Sequence, residues 1–413
     1  MRKRWLLFVL VILLLVGAGA YALRRLHVIG PGPSVTIGVD LPYQGDSTAI
    51  STATFNAMKL YLDQQGDKVG DISVSLFSYD DASATNPTGD ATKCADNAKA
   101  QIARSDLIAV IGPQQVACAR IEAKALAAAN MMLVSPAVTN PGLTKAWNAG
   151  EPAVYAANGV RSFARVVPTD DQQGTAMALF AAQTAKVKNC LVLNDGEVYG
   201  QRLAQGFIST AKANGIAITD LGTWDKGASS YLATFAGLEG ADCVYLSGNF
   251  DNNGAELISD KVALLGDNDK VKLFVPDGFG VYPAFLQSPA AQHAYTTMPG
   301  LTMDAWRSLK GTPATFLSAY HDKYGTDLTT PEAMYGVLAL QLVLRAIAVS
   351  NGSRAGVHQA MLSGSGVSVP ADTSLTGMPT GIVAATGDVN PPLTTVGQVN
   401  KGAIAFVATS KLT

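Results

Sequence analysis

From residue 34 onward, short β-branched or apolar runs alternate with longer stretches whose apolar positions recur at helical spacing. Strands are predicted at 34–39, 72–79, 107–111 and 131–134, with helices at 52–64, 88–105 and 116–130 between and after them. The rhythm then restarts. Helices at 172–185, 201–214, 231–237 and 253–264 alternate with strands at 190–193, 216–221, 243–246 and 273–275. A β-α-β-α alternation of this kind is that of a parallel sheet covered by helices on both faces. The predicted fold class is therefore α/β, with two similar Rossmann-like units and a seam near 163–168. Two long helices, 312–324 and 331–349, follow, and Gly- and Pro-rich segments carry final strands at 381–384 and 403–408.

Two such lobes leave a cleft between the C-terminal ends of their strands, where open α/β sheets take their ligands. The polar and Gly-rich segments 42–48, 112–117, 135–144, 194–200, 247–254 and 276–282 all fall at those ends. Several run directly into helices, so their backbone N–H groups are placed to face an anion such as a carboxylate.

The first 33 residues have a different pattern. Arg2, Lys3 and Arg4 precede Trp5 to Leu23, a stretch with no charged side chain. As a helix it would be ~28 Å long, enough to cross a bilayer. The leading positive charges keep the N-terminus in the cytoplasm. Residues 6–16 with Ala20-Tyr21-Ala22 fit a cleaved signal peptide. Arg24 and Arg25, immediately after the apolar run, fit an uncleaved anchor. On either reading the remainder lies outside the cytoplasm.

Composition narrows the partners. Lys and Arg number 30 against 32 Asp and Glu, a net charge of -2, so the chain lacks the basic excess that nucleic acid demands. The cysteines, Cys94, Cys118, Cys190 and Cys243, are even in number and belong to an exported chain. They allow three pairings. The sequential one, Cys94 with Cys118 and Cys190 with Cys243, keeps each bridge within one half of the chain. If the strands opened by Cys190 and Cys243 are neighbours in a parallel sheet, their sulfurs meet. The alternative is buried free thiols. No C-x-x-C pair exists, and no metal or other cofactor is expected.

Enzyme signatures are missing. There is no G-x-S-x-G elbow, no Walker A loop and no H-E-x-x-H. His293, His321 and His358 are scattered, and Asp80-Asp81, adjacent on a strand, point to opposite faces. No catalytic residue is assigned, and the chain is not expected to be an enzyme.

Other segments carry a likeness. In order, they are Ile37-Gly38-Val39, Pro42-Tyr43-Gln44-Gly45, Phe55-Asn56-Ala57, Tyr79-Asp80-Asp81-Ala82, Val110-Ile111-Gly112, the run from Ser135-Pro136-Ala137-Val138-Thr139-Asn140-Pro141 to Thr144, Asp195 to Tyr199-Gly200, Pro276-Asp277-Gly278 and Thr386-Gly387-Asp388-Val389. Together they resemble the substrate-binding proteins of branched-chain-amino-acid-type ABC importers (the type I periplasmic binding protein fold, leucine/isoleucine/valine-binding-protein-like). The run S-P-A-x-T-N-P-x-L-T is the most specific of them. The resemblance implies a Venus-flytrap of two lobes joined by three crossings, near 165–168, 297–300 and 370–385. Residues 34–167 and 300–375 would form lobe 1, residues 168–298 and 376–413 lobe 2, and residues 1–33 the signal peptide or anchor. It also implies a monomer that hands a small-molecule ligand to an ABC permease in the membrane. A ligand-sensing receptor domain held by the N-terminal helix is the alternative.

Carried over residue by residue, the resemblance places the ligand α-carboxylate on Val116, Ala137 and Thr139. Val116 departs from the hydroxyl residue usual there, so only its N–H can serve. Tyr199 and Asn249 form the second lobe's wall, Asn249 where an aromatic is common. Asp277 takes the place of the usual Glu as partner of the α-ammonium. Ile50 occupies a first-lobe position that often holds an aromatic. A buried ammonium requires a carboxylate and a buried carboxylate requires N–H or hydroxyl donors, so the set suits an amino acid or a similar small polar solute.

Overall fold

The computed structural model describes residues 33–412 apart from Asp46 and Glu239. The apolar run 5–23, and with it the choice between cleavage and anchoring, lies outside the described residues.

The first lobe is built on β1 (Ser34–Leu41), β2 (Lys68–Val69), β3 (Ile72–Asp80), β4 (Leu107–Ile111), β5 (Met132–Ser135) and β6 (Phe163–Arg165), in the order β2-β3-β1-β4-β5-β6. Every pairing is parallel except β2 with β3. The strand order reverses between β1 and β4, so the crevice opens beyond Leu41 and Ile111. One face of this sheet is covered by the helices Ser47–Gln64 and Pro331–Ala348, which pack on each other around Met58, Val337 and Leu340. Pro331 sits in the first turn of its helix, where its missing N–H has no intrahelical role. That helix is apolar almost all round, and it is a core helix because the lobe buries nearly every side chain on it.

The second lobe holds β7 (Asn189–Asn194), β8 (Ala217–Thr223), β9 (Cys243–Ser247), β10 (Lys272–Val275) and β11 (Tyr295–Pro299). A small sheet of β12 (Ser368–Val369), β13 (Thr380–Ile382) and β14 (Val389–Asn390) precedes the closing hairpin, β15 (Leu393–Asn400) and β16 (Ala403–Lys411). The second sheet runs β16-β15-β11-β10-β9-β7-β8, with its switch point between β7 and β9. Val369, Leu375 and Ile382 of the small-sheet region pack into the first lobe's core. The chain thus stays with the first lobe beyond residue 375 and joins the second sheet at Leu393.

The three passages between the sheets lie side by side. The Arg165 N–H donates to the Gly387 carbonyl (2.9 Å), and the Gly300 N–H donates to the Leu393 carbonyl (2.9 Å). Arg165, with no exposed surface, binds this junction from within. Its Nη1 donates to the carbonyls of Val138 and Asn140 (2.8 Å each), its Nη2 to the Thr144 hydroxyl (2.9 Å), and its Nε lies 3.0 Å from Asp388 Oδ1. The S-P-A-V-T-N-P run is therefore a turn folded around one guanidinium.

Both disulfides are sequential. Cys94–Cys118 joins the helices Ala91–Ala103 and Val116–Ala127, and Cys190–Cys243 joins residues in register on the parallel neighbours β7 and β9.

Candidate functional site

A cavity of 270 Å³ lies between the sheets, at the C-terminal ends of their strands. Pro136, Ala137 and Thr139 line it from the first lobe, Asp277 from the second, Met298 to Thr302 from a passage between them, and Glu332 and Tyr335 from the start of the long core helix.

The first-lobe wall follows from the turn after β5. The Ser135 hydroxyl donates to the Pro113 carbonyl (2.7 Å) and accepts from the N–H groups of Val138 (2.9 Å) and Ala137 (3.3 Å). With Arg165 holding the carbonyls of Val138 and Asn140, the turn presents Ala137 and Thr139 to the cavity in one fixed conformation.

Asp277 opens a short helix after β10. Its Oδ1 accepts from Gln173 Nε2 (2.7 Å) and from the Tyr199 hydroxyl, while its own N–H donates to Gln173 Oε1 (3.2 Å). Neither side-chain bond falls on Oδ2. The following residue must be Gly278, because a Cβ there would lie 2.5 Å from the Gly248 carbonyl oxygen and 3.1 Å from the Tyr199 ring. Tyr199 is a helix residue, since the helix Val198–Ala213 begins three residues before the predicted start at 201. Asn249 is held by Asp195, whose Oδ2 accepts its N–H (3.0 Å), and it lies against Gly278 behind the cavity wall.

The seven expected ligand residues thus separate. Ala137, Thr139 and Asp277 share one cavity. Tyr199 bonds to Asp277, and Asn249 borders the same turn. Val116 and Ile50 do not line this cavity. Val116 is half-buried at the start of its helix against the first-lobe core, and Ile50 sits in the first turns of Ser47–Gln64, its carbonyl accepting from the Thr54 hydroxyl (2.8 Å). Three further residues escape sequence reading. Asp170 follows the first passage, and its N–H donates to the Thr139 carbonyl (3.0 Å). Gln173 bonds to Asp277 on both edges of its amide, and Glu332 lines the cavity from a distant part of the chain. The clustered Asp170-Asp171-Gln172-Gln173 after Pro168 was the available signal.

The electrostatics are one-sided. Burial raises the Asp277 carboxyl above the usual range, although Tyr199 and Gln173 pull it back by bonding to the charged form. Burial, and then the neighbouring Asp277, push Asp170 up to about 7. No Lys or Arg is among the residues lining the cavity. The arrangement offers carboxylates to a cation on one side and a hydroxyl with turn backbone on the other.

Residues 34–403 match the family model described as periplasmic binding protein, and the chain belongs to that family. It is 27% identical over 224 residues to the Leu/Ile/Val-binding protein BraC3 of Rhizobium johnstonii. That match takes in 53% of this chain and 56% of the relative, so the chain spans little more than half the length of the curated relative it matches. Among solved structures, an ABC transporter substrate-binding protein of Desulfitobacterium hafniense in complex with Leu superposes with a TM-score of 0.64 at 19% identity, covering 91% of this chain and 100% of that one. The branched-chain amino acid transporter substrate-binding protein LivJ of Streptococcus pneumoniae, in complex with isoleucine, gives 0.58 at 18% identity (92% and 99% covered). A solute-binding protein of R. palustris in complex with benzoate gives 0.58 at 19% identity (92% and 97% covered). These likenesses establish the two-lobed fold. The family is one of extracytoplasmic solute-binding proteins, not of enzymes.

Proposed function

We propose that this protein captures an amino acid or a closely related small polar solute carrying an ammonium group, closes its lobes over it and delivers it to an ABC permease. The observation that carries this reading is Asp277, oriented by Tyr199 and Gln173, sharing one cavity with Thr139 and Ala137. Asp277 and Asp170 supply negative charge for the ammonium, and the Thr139 hydroxyl supplies a donor for the carboxylate. Relatives of this fold bind either amino acids or aromatic acids. The absence of a cationic side chain from the lining, beside carboxylates already resisting ionisation, favours the zwitterion over a benzoate. Residues 34–167 with most of 300–392 act as one jaw and 168–298 with 393–413 as the other. Closure is driven by contacts that the ligand makes with both jaws only when they are shut.

Isothermal titration against a panel of amino acids, their amides and hydroxybenzoates tests the reading. Binding of at least one amino acid, lost in Asp277→Ala, is expected. Binding of a benzoate with no response to any amine would overturn it.

A further inference from the structure

Away from the cleft, the first lobe encloses three carboxylates with no exposed surface: Asp40 near the end of β1, Asp81 just after β3, and Glu122 in the helix Val116–Ala127. One oxygen from each lies within 4.8 Å of the other two. Asp40 accepts from the side-chain amides of Asn97 (2.8 Å) and Gln101. The four carboxylate oxygens of Asp81 and Glu122 are buried and accept no hydrogen bond from another residue. Independently of the acids, the fully buried Gln101 amide, whose Nε2 bonds to Asp40, has its own Oε1 buried without a donor. Five buried acceptor oxygens in this part of the lobe, four of carboxylates and one of an amide, therefore have no donor. Buried acceptors in native proteins are almost always satisfied, and a group of unsatisfied ones points to an ion or water.

We propose that Asp40, Asp81 and Glu122, with the Gln101 amide oxygen, hold one oxygen-preferring divalent cation of the calcium class inside the first lobe. An ion ~2.4 Å from each ligand oxygen accommodates the observed spacing, and an all-oxygen donor set selects calcium, magnesium or manganese over zinc. Proton sharing is the competing chemistry. Protonation removes charge one acid at a time, whereas one divalent ion balances two charges and contacts all three acids at once. Burial and the mutual repulsion of Asp40, Asp81 and Glu122 oppose their ionisation, and no Lys or Arg relieves it. The site is assembled from two strand ends and two helices far apart in the chain, so no spacing motif announces it. The sulfurs that lie beside Glu122 are those of the Cys94–Cys118 disulfide and offer no thiolate.

The test uses the full-length protein, purified without chelator, with its metal content measured by plasma mass spectrometry. The protein is then unfolded and refolded with EDTA or with millimolar Ca2+, Mg2+ or Mn2+, because a site without exposed surface must load during folding. About one equivalent of divalent metal per chain, or melting ~5 °C or more higher after refolding with one of the ions than with EDTA, is expected. Glu122→Gln and, should that variant fail to fold, Asp81→Asn should lose both the metal and the difference. Two results overturn the proposal: wild-type protein with no stoichiometric metal and identical melting in every ion, or metal retained undiminished in the variant.

Discussion

The cleft and the buried triad use the same chemical group to opposite ends. In the cleft, Asp277 is half-buried and oriented by Tyr199 and Gln173, and its second oxygen takes neither bond. In the triad, Asp81 and Glu122 have neither donors nor solvent. Arg165 and Asp388 supply a third arrangement, a buried charge met by carbonyls, a hydroxyl and a counter-ion. A buried charge with its partners built in fixes structure. One with partners on one side waits for a ligand, and one with no partners must be neutralised from outside the chain.

Perturbing the self-sufficient case should have the largest effect. Arg165→Ala removes the guanidinium that organises the turn and takes the counter-ion from Asp388, and should destabilise the protein by about 3–5 kcal/mol in chemical denaturation. A loss under 1 kcal/mol would show that the turn holds itself. Asp277→Ala should weaken amino-acid binding by about 100-fold or more by calorimetry, since the ammonium would be left unpaired in a closed cleft.

The two acid groups should also part in their pH responses. Asp40 is pushed up to about 7 and Asp81 to about 8, in both cases first by burial and with Asp80 of β3 adding repulsion. Their folded values stand above the unfolded ~3.9, so their contribution to stability is complete below that value and is lost as pH rises through 7 and 8. Protein refolded with EDTA should therefore melt roughly 5 °C or more lower at pH 8 than at pH 5, and refolding with Ca2+ should erase the difference. In the cleft the dependence runs the other way. An ammonium needs Asp170 ionised, so affinity should fall as pH drops from 8 through 7, approaching about tenfold per unit. Affinity independent of pH between 5 and 8 would remove Asp170 from the site. The smallest change is expected from Gln173→Ala, about three- to tenfold in affinity, because Tyr199 still orients Asp277.

Much of the fold was legible because its strands and helices differ in period. The strand at Leu107–Ile111 and the helix at Thr312–Tyr324 fall where apolar runs and helical spacing put them. The closing strand β15 escaped. Its Thr394, Thr395 and Gly397 lie between two neighbours and are buried on both faces, so the sequence shows neither alternation nor an apolar run. The site divides along the same line. Asp277 and Thr139 sit in turns with recognisable wording. Asp170, Gln173 and Glu332 become neighbours only when three passages of chain come side by side, and no local pattern encodes that meeting. The triad is an extreme of this. Asp81 was legible only as one of two adjacent strand acids, and its partners Asp40 and Glu122 stand 41 residues away on either side.

The placement of the two disulfides has a mechanical consequence. One staples a pair of helices and the other a pair of adjacent strands, and each stays inside its own half of the molecule. Oxidising surroundings therefore stiffen each shell separately and put no tether across the gap. In the proposed closing mechanism the only covalent links between the halves are three backbone strips, and reducing agents should loosen the shells without changing how far they swing.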